Sequence, residues 1–146
     1  MNPPLKLLAK DEEDLSVISA HLQDSLVMFA DMDYLSEEQQ FLLVVSRFRW
    51  ETCAPTSSGR KPFLRVHSGL CFDNVTGVKL RNLDRKDRSR VLELLAIRPG
   101  QGFIDLLFAE RGRVRLEVQN ISCHLQDLDE PWPTPWQPRH PVAEGN

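Results

Sequence analysis

Between Arg113 and Asp127 the apolar residues of this chain change phase, and that shift narrows the folds open to it. Val114, Leu116 and Val118 alternate with Arg113, Arg115, Glu117 and Gln119, the period of a strand with one face buried and the other in water. Beyond Gln119 the inward set becomes Ile121, Cys123 and Leu125, odd-numbered where the earlier set was even. In a continuous strand that slip would turn every apolar side chain to the wrong face. A bulge or sharp bend near Gln119-Asn120 is required, and a strongly curved or barrel-like sheet is the architecture that uses one.

The strand before it, Phe103 to Ala109, is apolar on both faces except at Asp105, so it is expected to be covered on both sides. Glu110-Arg111-Gly112-Arg113 supplies the hairpin turn, with Gly112 able to take a positive φ without steric cost. Elsewhere the pattern is easier to read. Leu5, Leu7 and Leu8 predict a short opening strand. Asp11 in a cap position, followed by Glu12, Glu13 and Asp14, predicts a helix from Glu12 to Gln23 with Leu15, Ile18, Leu22 and Val17 inward. Leu26 to Ala30 and Gln40 to Trp50 read as a hairpin joined by an acidic connection, residues 31–38. Glu51 to Lys61 is a loop by composition. Phe63 to Phe72 and Val75 to Leu80 predict strands joined at Asp73-Asn74. Residues 83–90 are a charged connection. Val91 to Ile97 reads as a strand, with a helix continuing from Lys86 as the alternative, and Pro99-Gly100 ends either.

The last segment, residues 129–146, holds Pro131, Pro133, Pro135, Pro138 and Pro141 with Trp132 and Trp136, a composition that excludes helix and inner strand. The predicted class is α+β: one domain over residues 1–128, mainly antiparallel, with about seven or eight strands in a strongly curved sheet or small barrel, and one N-terminal helix. Residues 129–146 form an extended tail. Ile18 to Asp24 (ISAHLQD) echoes Ile121 to Asp127 (ISCHLQD) at all but one position. The first copy reads as helix and the second as strand.

The 146 residues suit a single core. No apolar run approaches the roughly 18 residues of a membrane span, and MNPPLKLLAKDEED is no signal peptide. Three cysteines, Cys53, Cys71 and Cys123, without CxxC spacing, point to reduced thiols in the cytoplasm. Net charge is −3, unevenly spread: −7 over residues 1–46 (two Lys, nine acids), +7 over 47–90 (eleven basic, four acids) and −3 over 91–146 (five Arg, eight acids).

The succession LKLLAKDEEDLSVISAHLQD, FLLVVSRFRWE, LLAIRP and RVRLEVQNISCHLQDL resembles an uncharacterised alphaproteobacterial family of about this length, catalogued only as a domain of unknown function. The likeness runs from about Leu5 to Pro141. Its most recognisable pieces are His21-Leu22-Gln23-Asp24 and Arg47-Phe48-Arg49-Trp50-Glu51. The resemblance implies a bacterial cytoplasmic protein and brings no catalytic residue with it.

No P-loop, GxGxxG, GxSxG or HExxH motif occurs, and no catalytic residue, cofactor or metal ligand set is assigned. His67 and Cys71 lie too far apart along a strand to share an ion, and Cys123 and His124 point to opposite faces. Cys53 near His67 or His21 would need geometry that sequence does not give. Two surfaces are candidates for binding. Arg47, Phe48, Arg49 and Trp50, with Trp132 and Trp136 of the tail, would present aromatic and basic anchors to a protein partner. Arg65, Lys79, Arg81, Arg85, Lys86, Arg88 and Arg90 would gather into a polyanion-binding face if strands 41–50, 63–72 and 75–81 are neighbours.

The leading expectation is a non-enzymatic binding or adaptor module for an unidentified protein partner. Nucleic-acid or polyanion binding is the alternative, and a small-molecule pocket or enzyme inside the curled sheet is the third. An open edge at either hairpin also allows a homodimer.

Overall fold

A computed structural model of the protein describes residues 5–48, 63–128 and 132–134. In chain order the elements are β1 (Lys6–Ala9), α1 (Glu12–His21), β2 (Ser25–Met28), β3 (Met32–Leu35), β4 (Gln40–Phe48), β5 (Phe63–Phe72), β6 (Val75–Arg81), β7 (Val91–Gly100), β8 (Phe103–Phe108), β9 (Arg113–Val118), β10 (Cys123–Asp127) and β11 (Trp132–Thr134). All paired strands are antiparallel. Across the sheet they run β1-β10-β5-β4-β2-β7-β8-β9-β6, with β3 on β4 and β11 on β5. The path ends at β1 and β6 without closing. Eleven strands among the described residues exceed the seven or eight expected.

The phase slip is resolved by a bend at Gln119-Asn120, not by a bulge. Up to Val118 the chain pairs with β8 and β6; from Cys123 it pairs with β5 and β1. Val114 and Leu116 face the core before the bend, and Cys123 and Leu125 after it. The bulges sit elsewhere, at Val75/Gly77 and Leu94/Ala96.

Helix α1 begins where the acids predict. The Asp11 carboxylate accepts the Asp14 backbone N–H at 2.8 Å, satisfying an orphan donor of the first turn. Leu15, Ile18 and Leu22 are fully buried, but Val17 is exposed. The helix ends at His21, two residues early, and Asp24 turns the chain at φ 65°. Its inner face lies on β7 and β1, and the Ser19 hydroxyl accepts the Ile97 N–H at 3.0 Å.

Four other expectations need correction. The acidic connection 31–38 contains β3, which forms the hairpin with β4 over Met32↔Leu43 to Leu35↔Gln40. Strand β2 meets β4 only at Leu26↔Ser46 and pairs mainly with β7. Strand β7 runs past Ile97 and ends at Gly100, with Pro99 and Gly100 themselves paired to Ile104 and Phe103 of β8. In the β8–β9 turn, Glu110 and Arg111 take positive φ (64° and 66°), while Gly112 is extended at φ −70°. A Cβ at Gly112 would sit 3.0 Å from Leu83 Cδ2, a tight approach to which the tip of that side chain would have to yield by a few tenths of an ångström.

Candidate functional site

The register of β8, β9 and β6 lays their outward side chains in rows. One row is Asp105, Arg115 and Lys79, and the next is Phe103, Glu117 and Gly77. In these rows bases and acids match. Arg115 grips Asp105 with two hydrogen bonds of 2.8 and 2.9 Å and stacks 3.8 Å from the Phe103 ring centroid. That bidentate bond holds the Arg115 guanidinium above its usual pKa. Lys79 pairs with Glu117 at 3.1 Å.

The row at the turn end has no acid. It is Leu107, Arg113 and Arg81, with the two arginines directly opposite one another. Like charges so placed repel. Beside them the β8–β9 turn adds Arg111, and the four lie around a cleft of about 680 Å³ with Asn82, Leu95 and Phe108. Leu95 is 45% exposed and adds apolar surface to the cleft. The Arg113 Nε is buried without a hydrogen-bond partner among the described residues. A buried N–H in that state leaves a desolvation penalty uncompensated. The acid of the cleft, Glu110, pairs with Arg90 at 3.2 Å.

The polyanion candidates read from sequence do not gather on one face, and Lys79 is already paired with Glu117. Arg81 is in this cleft. Arg90 borders it through Glu110, and Arg88 donates to the carbonyls of Ala30 and Met32 and lies over the Phe29 ring. Arg85 and Lys86 are exposed in the connection between β6 and β7. Arg65 is on the other half of the sheet, buried, donating to the Ser46 hydroxyl at 3.0 Å, and burial pulls its pKa below the usual value. Strands β4 and β5 are neighbours, but β6 lies at the far end of the sheet. Arg111 and Arg113 were the residues missed. Both are legible as the outward phase of β9 and its turn, but they fall outside the basic stretch 47–90.

Among the partner-surface candidates, Arg47 continues the inward phase of Phe41, Leu43 and Val45 and is fully buried. Its guanidinium contacts Asp127 at 2.9 Å and Ser68 at 3.1 Å. Phe48 ends β4, and Trp132 opens β11, whose backbone pairs with Phe63 to Arg65. Arg49, Trp50 and Trp136 lie outside the described residues, as does Cys53.

A second feature occupies the outer face of the other half. Cys71 and His124 are direct cross-strand partners on β5 and β10, and Asp73 follows Cys71 by two residues. The Cys71 thiol donates to Asp73 Oδ1 across 3.9 Å, and His124 Nδ1 lies 4.0 Å from Asp73 Oδ2. Burial, then the Asp73 charge and hydrogen bond, push the Cys71 thiol up to about 11. Cys123, on the core face, is pushed up further by burial. Both cysteines are free thiols. Cys71 and His124 form one wall of an open groove of about 250 Å³ floored by Leu42, Val44 and Gly69.

No helix among the described residues is long and apolar enough to cross a membrane. Neither a curated protein nor a solved structure matches the chain. One family model does, over residues 5–140, and its description is a protein of unknown function (DUF2948). Those residues span nearly the whole chain, and the protein belongs to that family.

Proposed function

We propose that this protein is a non-enzymatic binding module that takes a phosphate-bearing polyanion in the cleft of Arg81, Arg111 and Arg113. The observation that carries the reading is the unmatched row. On a face where neighbouring bases have acids, two arginines stand opposite each other and a third closes the cleft. An anion between them would relieve the repulsion and accept from the guanidinium N–H groups that line the cleft. Leu95 and Leu107 beside the guanidiniums give an apolar surface for a base or acyl portion of the ligand. The sheet that carries the cleft is read as strongly curved. In support, the Val75 N–H donates to Gln39 O at 2.8 Å and the Tyr34 hydroxyl to Val75 O at 2.9 Å, joining β6 to the β3–β4 hairpin from across the strand order.

The test is fluorescence anisotropy with a labelled single-stranded RNA of about 12 nucleotides, titrated over a salt series. Three phosphate contacts predict a slope of log K against log salt near −2, at about −0.7 per contact. Arg113→Glu and Arg81→Glu should each abolish binding at low salt, and inorganic pyrophosphate should compete. Absence of binding at about 50 mM salt, or binding untouched by both substitutions, rejects the reading.

A further inference from the structure

We infer that Cys71, Asp73 and His124 form a zinc-binding site with three protein donors and one open position facing the groove. One donor atom from each residue lies within 4.8 Å of the other two. The sheet places them so for a simple reason. Cys71 and His124 face each other across the β5–β10 ladder, and Asp73 follows two residues on, just past the end of β5. A tetrahedral ion about 2.0–2.3 Å from each donor needs donors about 3.3–3.8 Å apart. The sulfur lies 3.9 Å from Asp73 Oδ1 and the imidazole Nδ1 4.0 Å from Oδ2, and with all three donors within 4.8 Å of one another an ion draws them together by about 1.5 Å at most.

The Asp73 carboxylate is also held by neighbouring side chains. Gln40 Nε2 donates to Asp73 Oδ1 at 2.9 Å, the Ser122 hydroxyl donates to Asp73 Oδ2 at 3.2 Å, and the Lys10 ammonium donates to Ser122 at 3.1 Å. Outer bonds of this kind orient a ligating carboxylate. Thiolate, imidazole and carboxylate together suit zinc among the divalent ions and disfavour magnesium and calcium. Three protein donors leave a fourth position for water or a ligand group, and the groove beside Cys71 and His124 gives it access. Binding sends the Cys71 thiol proton to solvent, so affinity rises with pH.

The experiment uses the full chain, stripped with chelator, titrated with Co²⁺ and followed by absorbance. One equivalent should produce a thiolate-to-cobalt charge-transfer band with the visible bands of a tetrahedral site, and one equivalent of Zn²⁺ should remove them. Cys71→Ser should abolish the charge-transfer band, while Cys53→Ser and Cys123→Ser keep it. His124→Ala, at a half-exposed position on the outer face, should lose the tetrahedral spectrum without unfolding the protein, so it carries the test if Cys71→Ser fails to fold. Gln40→Ala should weaken binding about tenfold or more. A wild-type chain without the thiolate band, or a band that survives both Cys71→Ser and His124→Ala, overturns the site.

Discussion

Arg47 and Asp127 meet 2.9 Å apart inside the sheet, their side chains 0% and 2% exposed, although 80 residues separate them. The contact is well satisfied. Two nitrogens of Arg47 reach the carboxylate, the Ser68 hydroxyl donates to it at 2.7 Å, and the Leu5 N–H donates to its other oxygen at 2.9 Å. Removing one partner of a buried pair strands the other charge. Asp127→Ala is therefore expected to destabilise by about 3–5 kcal/mol in urea unfolding. The double substitution Arg47→Met, Asp127→Leu should recover most of that loss.

The opposed arginines make a prediction with two signs. Arg81→Glu places a carboxylate opposite Arg113 and should raise stability at low salt by roughly 0.2–1 kcal/mol. The same change should erase the rise in melting temperature that millimolar pyrophosphate gives the wild type. Thermal scans with and without pyrophosphate read both. A variant less stable than wild type, or one that pyrophosphate still stabilises, would count against repulsion in that row.

The Cys71 thiol, held up to about 11, ties stability to alkaline pH. An unfolded thiol ionises near about 8.5, so the native state holds the proton more tightly. The resulting stabilisation is complete below the unfolded value and is lost as pH climbs toward the folded one. Melting temperatures of chelator-treated protein should fall between about pH 8.5 and 11. Cys71→Ser should fall less steeply, since only Cys123 then contributes in that direction.

Gly100 lies opposite Phe103 in the β7–β8 pairing, and a Cβ there would collide with the Phe103 ring. Gly100→Ala should cost about 1–3 kcal/mol by displacing that ring. It should also disturb the stacking of Arg115 on it. Denaturant unfolding measures the first effect, and Arg115→Ala combined with Gly100→Ala tests whether the two are coupled.

How much of this was readable in the chain depends on how far each relationship reaches. Local periodicity carried the helix cap at Asp11, strands β8 and β9, and the break at Gln119, because each depends on neighbours a few residues away. It also held a signal passed over: Phe41, Leu43 and Val45 put Arg47 inward, as Cys123 and Leu125 put Asp127. Sequence alone makes Arg47 an exposed anchor for a partner, since an inward arginine makes sense only once a carboxylate across the sheet is known. Strand β3 was missed because Met32-Asp33-Tyr34-Leu35 is short and sits among acids typical of a loop. The cluster of Cys71, Asp73 and His124 lay beyond reach for a different reason. It depends on the register between two strands about fifty residues apart, which no local pattern encodes.

The pairing of Lys6 with Gln126, and of Phe72 with Cys123, sets the order in which the molecule can be assembled as it is made. The meander from Val91 to Val118 closes between strands adjacent in sequence and can form early. The other half must wait. Until Cys123 to Asp127 has left the ribosome, one side of Ser68 to Phe72 and the whole of Lys6 to Ala9 have no strand to pair with. The nascent chain thus carries a bare β-edge until those five residues emerge and close it.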